Sequence, residues 1–338
     1  MLFYITTEEW GRGVIGRVIL SKEKSMSKRL ISIVVPAFNE SENIEVIKQR
    51  IDSCFAFDSY DLQLIFVNDG STDDTLQRIE TLAKSNNYVY YLELSRNFGH
   101  QCALKAGLDM ATGDCIISMD CDLQHPPELI RTLIEKWEAG YDIVYTRRTE
   151  LTVLPYFKRM TSTLFYTFFN WFSDIQIETG TADFRLIDRH VADVFIRFRE
   201  KEPFIRGLVK WMGFKQCCVE YDPNSRFSGT SKYSLKKMLG LAIQAVTSFS
   251  IKPLYMTIYV GFTFSLLAVL YLPYAIYSYF YSPNYAYGWA SVILTIVFFA
   301  GLQLSVLGII GLYLGKMYLQ VKDRPLYIIK TSNLLHCK

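Results

Sequence analysis

Two aspartates stand one residue apart at the end of an apolar run. Asp120 and Asp122 follow residues 115–119, a run that predicts a β-strand. Alternate strand residues share a face, so the two carboxylates repel each other unless a cation or hydrogen-bond donors lie between them. Mg²⁺ and Mn²⁺ take such oxygen ligands together with substrate phosphates, and Gln124 adds a carbonyl oxygen. The spacing predicts a divalent-metal site, with a solvated turn as the alternative.

A second polar loop, NDGSTDDT (68–75), follows an earlier apolar run. A tight turn at Gly70 and a helix that begins at residue 73 or 74, capped by Ser71 or Thr72, explain most of this loop. They do not explain Asp69, whose carboxylate at the strand end can accept a hydrogen bond from a nucleobase or a ribose. Residues 36–40, PAFNE, form a similar loop whose Asn39 and Glu40 suit the same contacts.

Short apolar runs alternate with segments of helical length through the first half of the chain. Strand and helix in alternation predict a mostly parallel sheet with both faces covered and ligands at the carboxyl ends of the strands. The predicted strands are 31–36, 62–69, 88–94, 115–120 and 141–146. Polar loops follow four of them, at 36–40, 68–73, 96–100 and 120–124. Four loops that converge on one edge predict a binding site there.

The C-terminal third contains two uncharged runs, 253–281 and 289–315. Each exceeds the ~20 residues that a helix needs to cross a bilayer. The flanking cations lie on one side of the pair, at Lys252, Lys316, Lys322 and Arg324, whereas the connecting loop has no charge. This asymmetry predicts two transmembrane helices with both termini in the cytoplasm. Two buried core helices are the alternative.

Two further segments have the composition of helices that lie at a membrane surface. Residues 156–172 combine two basic residues with many aromatic ones, and residues 234–249 place two lysines before an apolar run. Basic and aromatic side chains together suit the headgroup region of a bilayer. Ordinary amphipathic core helices explain both segments as well.

Composition excludes several classes of protein. With 36 basic and 33 acidic residues the net charge is only +3, which gives no indication of nucleic-acid binding. The seven cysteines include no CxxC pair, so we expect reduced thiols in a cytosolic domain. The sequence contains neither GxGxxG nor a P-loop motif. Residues 1–29 do not have the pattern of a signal peptide and are interpreted as an extension, with Met26 as an alternative start.

The order of motifs resembles glycosyltransferase family 2, in the branch of polyprenyl-phosphate sugar transferases that includes bactoprenol glucosyltransferases and dolichol-phosphate mannose synthases. The resemblance covers about residues 30–330 and rests on VVPAFNE, VNDGSTDDT, LSRNFGHQCALKAGLDMATGD, MDCDLQHPPELI, TADFRLIDR, EPFIRG and RFSGTSKYS. It implies an α/β GT-A nucleotide-binding domain at 30–233, an interface helix at 234–251, two transmembrane helices within 252–320 and a cytoplasmic tail at 321–338.

The resemblance also implies roles for particular residues. It assigns the nucleotide sugar to Pro36, Ala37, Asn39, Glu40, Asp69 and Asp120, and the metal with its diphosphate to Asp120, Asp122 and Gln124. It assigns catalysis to Asp183 and Asp122, and the acceptor phosphate to Arg206, Arg226, Ser231 and Lys232. Arg147 and Arg148 are further phosphate candidates, whereas His100 and His125 are expected to border the site.

Asp183 is open to two interpretations. The family suggests a catalytic base, but a phosphomonoester is already largely dianionic at neutral pH and needs little proton abstraction. The second interpretation is that Asp183 orients the acceptor or Arg185. The sequence does not decide between them.

Together these features predict an inverting transfer of glucose from UDP-glucose to undecaprenyl phosphate. The reaction is expected at the cytoplasmic face of a bacterial inner membrane, for an envelope glycan, with Mg²⁺ or Mn²⁺ as cofactor. The expected partners are the nucleotide sugar, the polyprenyl lipid and the bilayer, together with a homo-oligomer and a flippase. Another donor sugar and a non-catalytic membrane scaffold stay open. A processive synthase is disfavoured because QxxRW is missing, and a nucleotidyltransferase because it needs no membrane spans.

Overall fold

The computed structural model describes residues 28–55, 59–149, 180–201, 203–222, 247, 250–281 and 289–334. The predicted interface helix at 156–172 lies outside these residues. The helix at 234–249 lies outside them except for Thr247, and the N-terminal extension except for its last two residues.

Eight strands form one sheet, in the order β7-β5-β6-β4-β1-β2-β3-β8. They are β1 (Arg29–Ala37), β2 (Tyr60–Asn68), β3 (Val89–Leu94), β4 (Cys115–Ser118), β5 (Ile143–Arg148), β6 (Thr181–Asp188), β7 (Gln216–Tyr221) and β8 (Ile329–Ser332). Only β6 and β8 run against the other strands. The predicted mostly parallel sheet is confirmed, and the five predicted strands correspond to β1–β5.

Helices cover both faces of the sheet. Six of the described helices do so: α1 (Ile44–Cys54), α2 (Thr75–Ser85), α3 (His100–Met110), α4 (Leu129–Glu138), α5 (Arg189–Ile196) and α6 (Ile205–Trp211). Two longer helices follow them in the chain, α7 (Lys252–Tyr281) and α8 (Trp289–Val321). Apolar side chains of α1, α2 and α4 pack on one face, and those of α3, α5 and α6 pack on the other. Burial on both faces explains why the strands read as continuous apolar runs.

The start of α2 differs from the prediction. The helix begins at Thr75 with Asp74 as its N-cap residue, and neither Ser71 nor Thr72 caps it. Asp73 instead accepts hydrogen bonds from the Thr75 N–H (3.1 Å) and from the Thr75 hydroxyl (2.5 Å). Ser71 and Thr72 are held by Asn39 in the preceding loop, so a tertiary contact takes the place of the expected local cap.

The chain beyond α8 returns to the sheet. β8 pairs antiparallel with β3, with Ile329 opposite Leu94, and the Ser95 N–H donates to the Ile328 carbonyl (2.9 Å). The segment at 321–338, predicted as a tail, therefore supplies an edge strand. β8 begins beside the C-terminal end of β3, and the polar loops also extend from the C-terminal ends of the parallel strands.

In the part of the chain that the structure describes, two helices are long and apolar enough to cross a membrane. The qualifying segments are Lys252–Tyr271 in α7 and Thr295–Val321 in α8. Their apolar side chains face outward, as Phe262 and Leu304 illustrate with exposed fractions of 69% and 68%. A surface of this kind suits a hydrocarbon solvent and not water.

Gly107 brings α3 close to the sheet. A Cβ atom at this position would lie 2.2 Å from Cγ1 of Val34, a fully buried residue of β1. We therefore expect Gly107→Ala to destabilise the protein by ~1–3 kcal/mol, the usual range for overpacking a core. Thermal unfolding in detergent measures the loss, and the double variant Gly107→Ala with Val34→Ala should recover part of it. Equal stability of Gly107→Ala and the unaltered protein would contradict the expectation.

Candidate active site

The loops after β1 and β2 are joined through Asn39. Its Oδ1 accepts the Thr72 N–H (2.8 Å), and its own N–H donates to the Ser71 hydroxyl (3.0 Å). Asn39 has a φ of +56°, a left-handed conformation that asparagine tolerates better than most residues. Pro36 and Ala37 precede it and are buried at the end of β1. The predicted nucleoside residues of this loop thus lie together.

Asp69 joins the loops after β2 and β3. Its carboxylate accepts hydrogen bonds from the backbone N–H groups of Phe98 (2.8 Å) and Gly99 (2.9 Å). The two loops approach so closely at Gly70 that a Cβ atom there would lie 2.6 Å from the Arg96 carbonyl carbon. Burial raises the pKa of Asp69, although both backbone donors oppose that effect. Asp69 therefore supports the loops, and each oxygen keeps one lone pair for a further donor.

Asp120 joins the loops after β3 and β4 and lies between two histidines. Its Oδ1 lies 3.3 Å from Nε2 of His100, and its Oδ2 lies 3.6 Å from Nε2 of His125. Burial against Phe184 and Tyr221 lowers the pKa of His125. The Asp120 N–H donates to Nδ1 of His125 (3.1 Å), so a neutral ring carries its proton on Nε2, toward the Asp120 carboxylate.

The turn after Asp120 holds the other two predicted metal ligands. Asp122 accepts the Gln124 N–H at Oδ1 (3.2 Å), and Leu123 between them has a φ of +61°. Cys121 packs in the apolar core, whereas Asp120 and Asp122 keep partial exposure. The carboxylates are therefore more exposed than Cys121 between them, in a turn that begins after β4 ends at Ser118.

The donor set suits a hard divalent cation that the substrate also binds. Within the described part of the chain, no three His, Cys, Asp or Glu side chains form a group arranged to hold a metal ion. Mg²⁺ and Mn²⁺ sites in nucleotide enzymes commonly use only one or two carboxylates and complete the shell with phosphate oxygens and water. Asp120, Asp122 and the Gln124 amide fit a site of that kind.

Asp183 on β6 is held by two arginines. Arg206 donates from Nε to Oδ1 (2.9 Å) and from Nη2 to Oδ2 (2.8 Å), and Arg185 donates from Nη2 to Oδ1 (3.0 Å). Burial alone favours the neutral carboxyl, but the guanidiniums outweigh it and hold the pKa of Asp183 well below its usual range. An ionised carboxylate with three such bonds is a poor proton acceptor at neutral pH.

The N-terminus of α3 connects the two acidic centres. Nε2 of His100 lies 3.8 Å from Oδ2 of Asp183 as well as 3.3 Å from Oδ1 of Asp120. Gln101 donates to Oδ2 of Asp183 (3.4 Å) and accepts the Ile205 N–H (3.3 Å) at the start of α6. Asp120, Asp183 and the residue before Arg206 thus meet around the first turn of one helix.

Comparison with known proteins identifies the family. Residues 32–196 match the family model described as "Glycosyl transferase family 2". The "uncharacterized glycosyltransferase YkcC" of Bacillus subtilis (strain 168) is 43% identical over 301 residues, which cover 89% of this chain and 93% of the relative. The chain belongs to glycosyltransferase family 2. The resemblance inferred from the motifs is confirmed.

Another relative of this glycosyltransferase has a more specific name. The "prophage bactoprenol glucosyl transferase homolog" of Escherichia coli (strain K12) is 39% identical over 300 residues, 89% of this chain and 98% of that one. Among solved structures, a mannosyltransferase from Pyrobaculum calidifontis in complex with GDP-Man and Mn²⁺ matches 66% of this chain and 64% of its own, with a TM-score of 0.45 and 16% identity. That similarity is too low to assign a ligand to this chain.

The predicted acceptor residues of the glycosyltransferase are divided between two parts of the chain. Arg206 pairs with Asp183, while the other three lie outside the described residues: Arg226, Ser231 and Lys232. Of the further phosphate candidates, Arg147 pairs with Glu220, and Nε of Arg148 donates to the Tyr221 hydroxyl (3.1 Å). Arg148 thus lies beside the aromatic group that encloses His125.

Sequence reasoning missed Gln101 and gave His100 no defined contact. A polar pair directly after the glycine that precedes α3 was the available signal, since Gly99 is the N-cap residue of that helix. Arg185, two residues after Asp183 on β6, contacts it, and Arg185 is the residue that the second interpretation of Asp183 names. Nε of Arg185 is buried without a hydrogen-bond partner among the described residues.

Proposed function

We propose that this glycosyltransferase transfers glucose from UDP-glucose to undecaprenyl phosphate at the cytoplasmic surface of a bacterial inner membrane. The observation that carries the proposal is the position of β8. Only six residues lie between Val321, the end of α8, and Ile328, whose carbonyl accepts the Ser95 N–H at the loop edge of the sheet. Such a segment spans at most ~25 Å, so the catalytic edge lies near the end of an apolar helix.

The charges around the two long helices support a cytoplasmic site. Lys252 is the first residue of α7, and Lys316, Lys322 and Arg324 lie at or beyond the last turns of α8. Positive residues mark the cytoplasmic ends of membrane helices. The catalytic sheet is attached at these same ends, where nucleotide sugars are available. The names of relatives as bactoprenol glucosyl transferases, 39% identical over nearly their whole length, support the lipid acceptor and the glucose.

The nucleotide sugar is assigned to the loops after β1, β2 and β4. Asn39, Glu40 and Asp69 would contact the nucleoside, and Asp120, Asp122 and Gln124 would face the diphosphate and a divalent ion. Bound there, Mg²⁺ or Mn²⁺ would supply Lewis-acid stabilisation of the charge on the departing UDP. Among the described residues, the ion-pair partners of Asp120 are the imidazoles of His100 and His125.

A single displacement accounts for the chemistry. An oxygen of the acceptor phosphate forms the new bond to the anomeric carbon, and the bond from that carbon to the UDP oxygen breaks. The nucleophile is already anionic at neutral pH, so no side chain has to remove a proton. Asp183 keeps Arg206 and Arg185 in place, and its role in this proposal is orientation. Inversion at the anomeric carbon follows from the single step.

Transfer of radiolabel tests the proposal. Full-length protein in vesicles that contain undecaprenyl phosphate is supplied with labelled UDP-glucose, UDP-galactose or UDP-N-acetylglucosamine, with and without Mn²⁺ or Mg²⁺. We expect label from UDP-glucose in the lipid fraction, and at least tenfold less in the presence of excess EDTA. If only UDP-galactose or UDP-N-acetylglucosamine labels the lipid, the donor sugar in the proposal is wrong and that sugar takes its place. No lipid label from any donor would leave a membrane scaffold as the better explanation.

A further inference from the structure

The last turn of α8 is bound to the chain between α5 and α6. The Gln320 side chain donates from Nε2 to the Arg199 carbonyl (3.0 Å) and accepts the Lys201 N–H at Oε1 (3.3 Å). One amide thus binds the backbone on both sides of Glu200, as a neighbouring strand would. Two hydrogen bonds of opposite direction restrict both the distance and the rotation between the helix end and this segment.

Lys201 binds the same helix end from the other side. Its ammonium group donates to Oδ1 of Asp323 (3.0 Å) and to the Arg324 carbonyl (2.6 Å). Asp323 has a φ of +45°, so it lies in the turn by which the chain leaves α8. The Lys201 side chain is only 15% exposed, whereas its partner Asp323 is 69% exposed and open to water. Gln320 and Lys201 therefore clasp the end of the apolar helix, and we call these two residues the helix clasp.

A short path leads from the helix clasp to the site. Five residues after Lys201, Arg206 makes its two-point contact with Asp183. Ile205, the first residue of α6, lies between Lys201 and Arg206. Its N–H donates to Gln101, which also contacts Asp183. Displacement of the segment at the clasp would therefore move Arg206 and with it the orientation of Asp183.

The segment that follows α8, which includes β8, is attached to the sheet domain at a second place. The Tyr327 hydroxyl donates to Oδ2 of Asp109 (2.8 Å), near the end of α3, and Lys330 pairs with Glu93 of β3 (2.7 Å). The sheet thus stays joined to the chain beyond α8 even without the clasp. Loss of the clasp should change the angle of the sheet over the helix end and leave its fold intact.

We propose that Gln320 and Lys201 are positioning residues that hold the Arg206–Asp183 pair at a fixed height and tilt relative to the bilayer. The inference rests on the proposed function, because it concerns an acceptor phosphate carried by a lipid. Such a phosphate is confined to the membrane surface and cannot follow a site that tilts away, whereas a dissolved phosphate approaches from any direction. The positioning of the Arg206–Asp183 pair should therefore affect transfer to the lipid-borne phosphate and not transfer to a dissolved phosphate.

The test compares two acceptors for each variant. Full-length protein in vesicles is assayed with UDP-glucose and either undecaprenyl phosphate in the bilayer or a short, water-soluble isoprenyl phosphate. For Gln320→Ala we expect kcat/KM to fall about tenfold with the bilayer acceptor and to stay within about twofold with the soluble one. KM for UDP-glucose should not change, which also shows that the variant is folded. Lys201→Met should give the same pattern.

Lys322→Met is the matched control. Lys322 lies two residues beyond Gln320, and its ammonium group lies over the Tyr318 ring, 4.5 Å from the centroid. We expect this variant to retain activity with both acceptors. Equal losses with both acceptors in Gln320→Ala, or no loss with either, would overturn the positioning role. If the unaltered protein glycosylates neither phosphate, the proposed function itself fails and the positioning role falls with it.

Discussion

Asp183→Asn is expected to lower kcat/KM for the lipid acceptor about 100-fold, and the loss should not recover as the pH is raised. The physical reason is that Asp183 acts as an ionised carboxylate that holds two guanidiniums in place. Asparagine keeps the shape but has no charge and places amide hydrogens against Arg206 and Arg185. Initial rates with UDP-glucose and bilayer undecaprenyl phosphate, measured from neutral to alkaline pH, check this result.

The shape of the pH profile separates the two roles of Asp183. The arginines hold the pKa of Asp183 below its usual range, so the carboxylate is ionised throughout the neutral region. The stability that it contributes is present above the unfolded pKa of ~3.9 and is lost as the pH falls toward the folded pKa, far from the assay range. Activity of Asp183→Asn that rises again at alkaline pH would identify proton transfer instead.

Asp193→Asn is the matched control for this substitution. Asp193 is exposed on α5, where it pairs with Arg189 four residues earlier. Exposed pairs of this kind contribute little, so activity should stay within about twofold of the unaltered protein. Full turnover by Asp183→Asn would eliminate both proposed roles of the carboxylate.

The second large effect is expected from Asp122→Ala. In the proposed mechanism Asp122 is one of two carboxylates assigned to the metal, and its loss should lower kcat about 1,000-fold, which corresponds to ~4 kcal/mol of transition-state stabilisation. It should also raise the Mn²⁺ concentration needed for half-maximal activity. Rates measured over a Mn²⁺ titration at saturating UDP-glucose report both quantities.

Asp61→Ala is a control of the same residue type. Asp61 is exposed near the start of β2, opposite Leu30 and at the sheet edge away from the loops. We expect an unchanged Mn²⁺ requirement in this variant. A native rate from Asp122→Ala at every Mn²⁺ concentration would show that the turn after β4 does not hold the ion.

The sequence predicted the strands that obey simple patterning and missed those that do not. β1–β5 are apolar runs buried on both faces, and such runs are strong signals. β6 carries Asp183 and Arg185 at buried positions, so its pattern is interrupted by the groups that serve the site. β8 has four residues, IKTS, and pairs only through a contact between distant parts of the chain.

The candidate site was predictable as a set of residues and not as an arrangement. Strand-end position and alternation were enough to place Asp69, Asp120 and Asp122 at one edge. The contact of Arg206 with Asp183 joins residues 23 positions apart, and that of Gln101 with Asp183 joins residues 82 apart. Local patterns contain no information on such pairs. Both interpretations of Asp183 were open from the sequence, and the contact with Arg206 that favours orientation is seen only in the folded chain.

In the proposed reaction an oxygen of a membrane-borne phosphate displaces UDP from the sugar. ³¹P NMR of vesicles that contain undecaprenyl phosphate, UDP-glucose, Mg²⁺ and the full-length protein follows this phosphorus directly. We expect the phosphomonoester signal of the lipid to be replaced by a phosphodiester signal, with one UDP released for each diester formed. Release of UDP while the lipid phosphorus remains a monoester would contradict it.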